Sequence, residues 1–174
     1  MKSTSATILA LALAGALNAQ TPPANPLSTE LKASYTRIKT NFIKAAEKMP
    51  EENYDFKPTP DLQSFGERIA HIAVSTMPSC SALKGSPKTI DAKTLKTKAD
   101  IVAALKDTFA TCDAVMDGMT DADAVVPVSV GGRGAPRSKI ALGYGLVGHT
   151  NELYGYICVY MRLKGIVPPS SEGR

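Results

Sequence analysis

The stretch SKIALGYGLVGHTNELYGYICVYMRLK, residues 138–164, decides the fold. Its positions Leu142, Leu146, His149, Leu153, Ile157 and Tyr160 recur at intervals of three and four, the spacing of one face of a long amphipathic helix. Gly165 and the pair Pro168-Pro169 end it, because a glycine past the last turn and prolines beyond it cannot continue a helix. A single apolar stripe is stable only when buried against other elements, so the fold depends on what else the chain offers.

It offers three more helices. From Leu27 to Met49 the apolar positions Leu31, Tyr35, Ile38, Phe42, Ala45 and Ala46 keep the same spacing, with Ser28 placed to cap the start and Pro50 to stop the helix. The segment from Glu51 to Asp61 crosses the bundle end and carries Tyr54 and Phe56 toward it. Ser64 then caps a second helix whose stripe is Phe65, Ile69, Ile72, Ala73, Thr76, Cys80 and Leu83, with Pro78 expected to kink it and Gly85 to end it. Asp100 opens a third, with Ile101, Leu105, Phe109, Cys112, Val115/Met116 and Met119 inward. No alternating strand signal is present. The fold predicted is all-α, a four-helix bundle over residues 27–169 with a long connection, Val125 to Arg137, before the last helix.

Composition agrees with one globular domain: 174 residues, 44% hydrophobic and 21% charged. Twenty Lys and Arg against 16 Asp and Glu leave a dispersed +4, and only 6% of residues are aromatic, so no clustered basic face with interleaved rings argues for nucleic acid. The five lysines between Lys84 and Lys98 read as a solvated loop. Gly131-Gly132-Arg133-Gly134 lacks the Lys-Ser/Thr and the preceding strand of a phosphate loop, and reads as a Gly-rich crossover over the bundle mouth.

Residues 1–19 have the pattern of a secretory signal peptide: Lys2, an apolar run from Ala6 to Leu17, and a small residue, Ala19, before the cut. That run is shorter than the roughly 20 residues a membrane span needs, so no stable span is expected. Cleavage near Ala19 would leave a Pro-rich lead-in (20–26), the bundle, and a short tail (170–174), in a periplasmic or secreted protein. In such a compartment thiols oxidise. Cys80 and Cys112 fall on inward faces of helices joined by one loop, so a bridge between them is expected; Cys158 is left over as a small buried side chain. A homodimer through an exposed helix face is compatible with this reading.

The chain has two histidines, on the second and fourth helices, whose interior is where bundles hold metals. His149 lies on its apolar stripe and is expected to be buried. His71 falls off its stripe, on the side of Glu67 and Ser75. On these residues alone, one core and one surface histidine compete with a converging pair. A zinc or nickel site wants three or four protein ligands; Glu67, four before His71, and Glu152, three after His149, are the carboxylates placed to complete one. No Ser-His-Asp order, Gly-x-Ser-x-Gly elbow or haem-attachment motif is present.

Four stretches together carry a resemblance: KMPEENYDFKP (48–58), SFGERIAHIA (64–73), HTNELYG (149–155) and YMRLKGIVPP (160–169). The chain resembles the DinB-like superfamily of four-helix bundles. The resemblance implies an unusual connection between helices and a divalent metal, often nickel or zinc, held by one histidine of helix two and a His-x-x-x-His pair of the last helix. His71 and His149 match two of these positions, and Leu153 stands at the third. Family members with known activity are thiol-dependent transferases or isomerases. Two functions are thus expected to compete. One is a binding or structural module whose metal site is degenerate or lost. The other is a metal-dependent hydrolase or thiol-dependent transferase working through His71 and His149.

Overall fold

The computed structural model describes residues 24–130 and 134–173. The expected leader (1–19), most of the expected lead-in (20–26), Gly131, Gly132 and Arg133 of the Gly-rich stretch, and Arg174 lie outside the described residues. The described chain forms α1 (Pro26–Lys48), α2 (Phe65–Leu83), α3 (Lys98–Gly118), a single-turn α4 (Asp121–Ala124) and α5 (Lys139–Leu163). α1 packs mainly on α5 and α2 mainly on α3, while α1–α3 and α2–α5 close the ring. The helix pairs α1/α2 and α3/α5 therefore face each other across the diagonals. The all-α bundle is as expected.

Local chemistry explains most helix ends. Ser64 caps α2 reciprocally: its hydroxyl accepts from the Glu67 N–H while the Glu67 carboxylate accepts from the Ser64 N–H at 2.6 Å. Gly85, at φ +79°, leaves the helix by the left-handed turn that glycine permits. Two ends differ from expectation. α3 begins at Lys98, capped by Thr97, with Asp100 completing the capping box from inside. Ser28 does not cap α1. It is buried in the first turn, where the Leu27 and Ser28 N–H groups donate to Asp121 at 3.1 and 2.8 Å, so a carboxylate from α4 satisfies the orphan donors.

The long connection also holds a feature that periodicity did not show. Pro127–Val128 pairs antiparallel with Arg137–Ser138 as β1 and β2, two residues each. Strands of that length are too short for an alternating pattern to register. α2 runs unbroken through Pro78. Tyr54 is buried with its hydroxyl donating to Ala46 O at 2.6 Å, and Phe56 meets Tyr160 edge-on, so the crossing segment does close the bundle end.

The stripes of α1 and α3 are buried nearly as expected, with Leu31, Phe42, Leu105 and Phe109 at the centre. The stripe of α5 is turned by about one residue. Gly143, Val147, Thr150, Tyr154, Ile157 and Met161 are its inner face, together with Leu153 and Tyr160. Leu142, Leu146 and His149 are only half-buried. The cause is close approach: α5 rests on α1 at Gly143, where a Cβ would stand 2.5 Å from Leu31 Cδ2.

Cys80 and Cys112 form a disulfide between α2 and α3, 32 residues apart in sequence, and Cys158 is a half-buried free thiol whose pKa is pushed up by that burial. Closing a loop of this length constrains the unfolded chain by about 3–4 kcal/mol. Mass spectrometry after alkylation should find one reactive thiol before reduction and three after it. Cys80→Ser/Cys112→Ser should lose stability of that order in a urea melt.

Candidate site in the groove between α2 and α5

α2 and α5 run antiparallel, and a ladder of polar contacts records the register. The Tyr160 hydroxyl donates to Gln63 O at 2.8 Å and accepts from Arg68 Nε at 3.0 Å; the Arg68 guanidinium lies 4.7 Å over the Tyr156 ring; and His71 meets His149. Passing from Gln63, just before α2, to His71 within it descends α5 from Tyr160 to His149. Arg68, His71, His149 and Tyr156 flank the buried stripes, whereas Tyr160 belongs to the core and reaches the groove with its hydroxyl.

The two imidazoles converge as a directly bonded pair. Nε2 of His71 and Nε2 of His149 are 3.1 Å apart, and the rings meet at 74° with centroids 5.2 Å apart. His71 is exposed, as its place off the stripe predicts. His149 is not buried as expected: its side chain is 39% exposed, because the turn of α5 moves it to the lip of the groove. One ring must donate and the other accept, so the pair shares one proton between facing nitrogens. A second proton there would set N–H against N–H. Partial burial first, and then the positive fields of His149 and Arg68, hold the His71 pKa below the ordinary imidazole value. His149 Nδ1 lies 3.7 Å from Glu152 Oε2, too far for a hydrogen bond, which leaves either tautomer of the pair accessible.

Two nitrogens bound to one tetrahedral zinc at about 2.0–2.1 Å stand roughly 3.3 Å apart, so the histidine pair matches two adjacent coordination positions. The remaining candidates do not complete a set of three. Leu153, one turn from His149, is 5% exposed and has no lone pair. The Glu67 carboxylate is taken by the α2 cap and by Lys57 Nζ at 3.5 Å, which together hold its pKa low. Glu152 approaches the far nitrogen of His149 and accepts from the Tyr156 hydroxyl at 3.3 Å. Thr150, next to His149, turns into the core and is fully buried. Among the described residues, no group of three or more His, Cys, Asp or Glu is gathered as a metal cage. The residues present do not fit the three-ligand site that the resemblance implied.

On the other flank of α2 lies a cavity of about 560 Å³, walled by Tyr54, Glu67, Ala70, His71, Val74 and Ile101 among others. His71 thus borders both the groove and the cavity. Sequence reasoning found the two histidines but not the partners beside them, Arg68, Tyr156 and Tyr160. The available signal was spacing: Arg68 is three residues before His71, and Tyr156 seven after His149, so each shares its histidine's helix face.

Comparison with known proteins bears on the whole bundle. The family model described as the DinB superfamily matches residues 34–157. Among solved structures, a DinB-like protein from Bacillus cereus ATCC 10987 is similar in fold, with a TM-score of 0.66 and 19% sequence identity over 81% of this chain and 95% of that one. No curated protein matches the chain. No helix among the described residues is long and apolar enough to cross a membrane.

The sign of the His71 shift sets a pH dependence. Its folded pKa lies below the unfolded value, so as pH falls through about 6.5 the unfolded chain takes up a proton first and stability declines. In metal-free protein, imidazole titration by NMR should place His71 below ordinary histidine. His149→Ala removes both the neighbouring charge and part of the burial, and should move the His71 midpoint up. A parent midpoint at or above that of the variant would contradict the pairing.

Proposed function

The chain belongs to the DinB superfamily, and from that premise we propose that it is an exported binding module in which the three-histidine metal centre has given way to a hydrogen-bonded imidazole pair. The observation that carries this reading is Leu153. The position where the resemblance calls for the third histidine holds a side chain 5% exposed, packed into the helix interface one turn from His149. Restoring a ligand there would require both a new residue and a new rotamer outside the core. Export is supported by the signal-peptide pattern at residues 1–19 and by the Cys80–Cys112 disulfide, which suits an oxidising compartment.

A second reading keeps the metal and makes the protein a metal-dependent hydrolase or a thiol-dependent transferase acting through His71 and His149. The Nε2 separation of 3.1 Å favours it, since two ligands stand at nearly coordinating distance. Metal analysis separates the two. The mature protein is exposed to zinc or nickel, dialysed, and assayed beside His71→Ala/His149→Ala and Leu153→His. The binding-module reading expects substoichiometric metal in the parent and the double variant, and about one ion per chain in Leu153→His, where three nitrogens are again available. Stoichiometric metal in the parent, lost in the double variant, would establish the second reading instead. Expression with the leader in a host with a secretory pathway should yield a mature N-terminus near Gln20; retention of Met1 would remove export from the proposal.

A further inference from the structure

Arg68 is the cation of this groove without a counter-charge. Lys32, Lys39, Lys57 and Lys139 each pair with a carboxylate, whereas among the described residues no Asp or Glu pairs with Arg68. It is also held rather than loose. Its guanidinium carbon lies 4.7 Å from the Tyr156 ring centroid and 5.6 Å from that of Tyr160, and Nε donates to the Tyr160 hydroxyl. That hydroxyl in turn donates to Gln63 O. Two aromatic contacts and one hydrogen bond therefore orient the plane of the guanidinium. Its terminal nitrogens have no partner in the described protein.

Neither neighbouring carboxylate forms an ion pair with the guanidinium. Of the two neighbouring carboxylates, Glu67 is engaged by the Ser64 N–H and Lys57, and Glu152 by the Tyr156 hydroxyl. His71 stands one helical turn from Arg68 on the same face; its Nε2 engages His149, and its Nδ1 has no hydrogen-bond partner among the described residues. A planar fork with free N–H groups, one turn from an imidazole with an open nitrogen, is the arrangement that receives two oxygens of an anion.

We propose that Arg68, assisted by His71 of the His71–His149 pair, forms a subsite for an oxyanion, the carboxylate or phosphate group of a small molecule. The proposal rests on the binding-module reading and names the ligand class for it. Arg68 supplies the two parallel N–H donors. His71 adds Nδ1–H in the tautomer in which His149 donates its Nε2–H to His71 Nε2. Binding therefore selects one of the two tautomers of the pair. The exposed lip of the groove leaves the rest of the ligand in solvent or along the α2–α5 surface. No bond forms or breaks.

The test uses mature protein freed of metal by a chelator, at constant pH, with inorganic phosphate and benzoate as probes. Long-range proton–nitrogen spectra report the tautomer of each imidazole. Saturable binding of at least one probe is expected, with His71 Nδ1 taking the protonated signature. Arg68→Gln should weaken that binding roughly tenfold or more, the loss expected for a charge-assisted contact. Arg68→Lys keeps the charge without the fork and should fall between the two. Saturation by phosphate alone assigns a phosphate group, and by benzoate alone a carboxylate. If Arg68→Gln does not fold in a thermal melt, the lysine variant carries the comparison. Responses that do not saturate, or that are equal in parent and Arg68 variants, would overturn the proposal. Because the protein is metal-free, that outcome is separable from finding stoichiometric metal in the untreated parent, which would overturn the reading on which the proposal rests.

Discussion

The antiparallel register of α5 against α2 is the constraint on which the site depends. The hydrogen bond from Tyr160 to Gln63 O and the contact of Arg68 with Tyr160 fix one end of that register. Once they are made, helical rise alone carries the chain from Tyr160 to His149 beside the stretch from Gln63 to His71. The histidines, 78 residues apart in sequence, meet because two rods are aligned at their other end. Sliding α5 by one turn would separate the rings by about 5.4 Å and move Tyr156 from beneath the Arg68 guanidinium.

The disulfide acts on the opposite side of the same helix. α2 is bridged to α3 through Cys80 and rests on α5 through His71 and Arg68, so it is the wall common to the core, the groove and the cavity. Its capping box has a chemical consequence as well as a local one. Glu67 is the nearest acidic residue in sequence to Arg68 and His71, and the cap directs its carboxylate to the Ser64 N–H. The group that orders the N-terminus of α2 is thereby engaged at the cap and with Lys57, and makes no ion pair with Arg68.

How far the sequence revealed this depends on the kind of information each feature needs. The stripes Leu31–Tyr35–Ile38–Phe42 and Phe65–Ile69–Ile72 were legible because apolar spacing is a local property of one helix. The Ser64 cap was legible for the same reason. The first turn of α1 was not, since Asp121, which satisfies it, comes from the far end of the chain. The face of α5 was misjudged by one residue because both sides of that helix carry apolar side chains; Tyr144, Tyr156, Val159 and Leu163 remain exposed. Periodicity cannot choose between two such faces. The choice was made by Gly143, which lets α5 approach Leu31. On the residues alone, the meeting of His71 with His149 competed with a core-and-surface arrangement, and the resemblance favoured it; the position of Arg68 between the tyrosines required side-chain packing.

That one-residue turn also bears on why an imidazole pair is tolerable at this place. On the expected stripe, His149 would sit in the core, where a neutral imidazole needs a partner for each polar nitrogen and a charged one is strongly penalised. At the lip, Nε2 is satisfied by His71 and Nδ1 faces solvent and Glu152. Leu153, by contrast, lies on the expected stripe and stays inside after the turn, 5% exposed within the core cluster. A histidine at 153 in this register would have to leave the core or bring a ligand with it. The rotation that exposes His149 leaves position 153 inside, where an apolar side chain suits the packing of α5 and an imidazole would need a buried partner for its polar nitrogens.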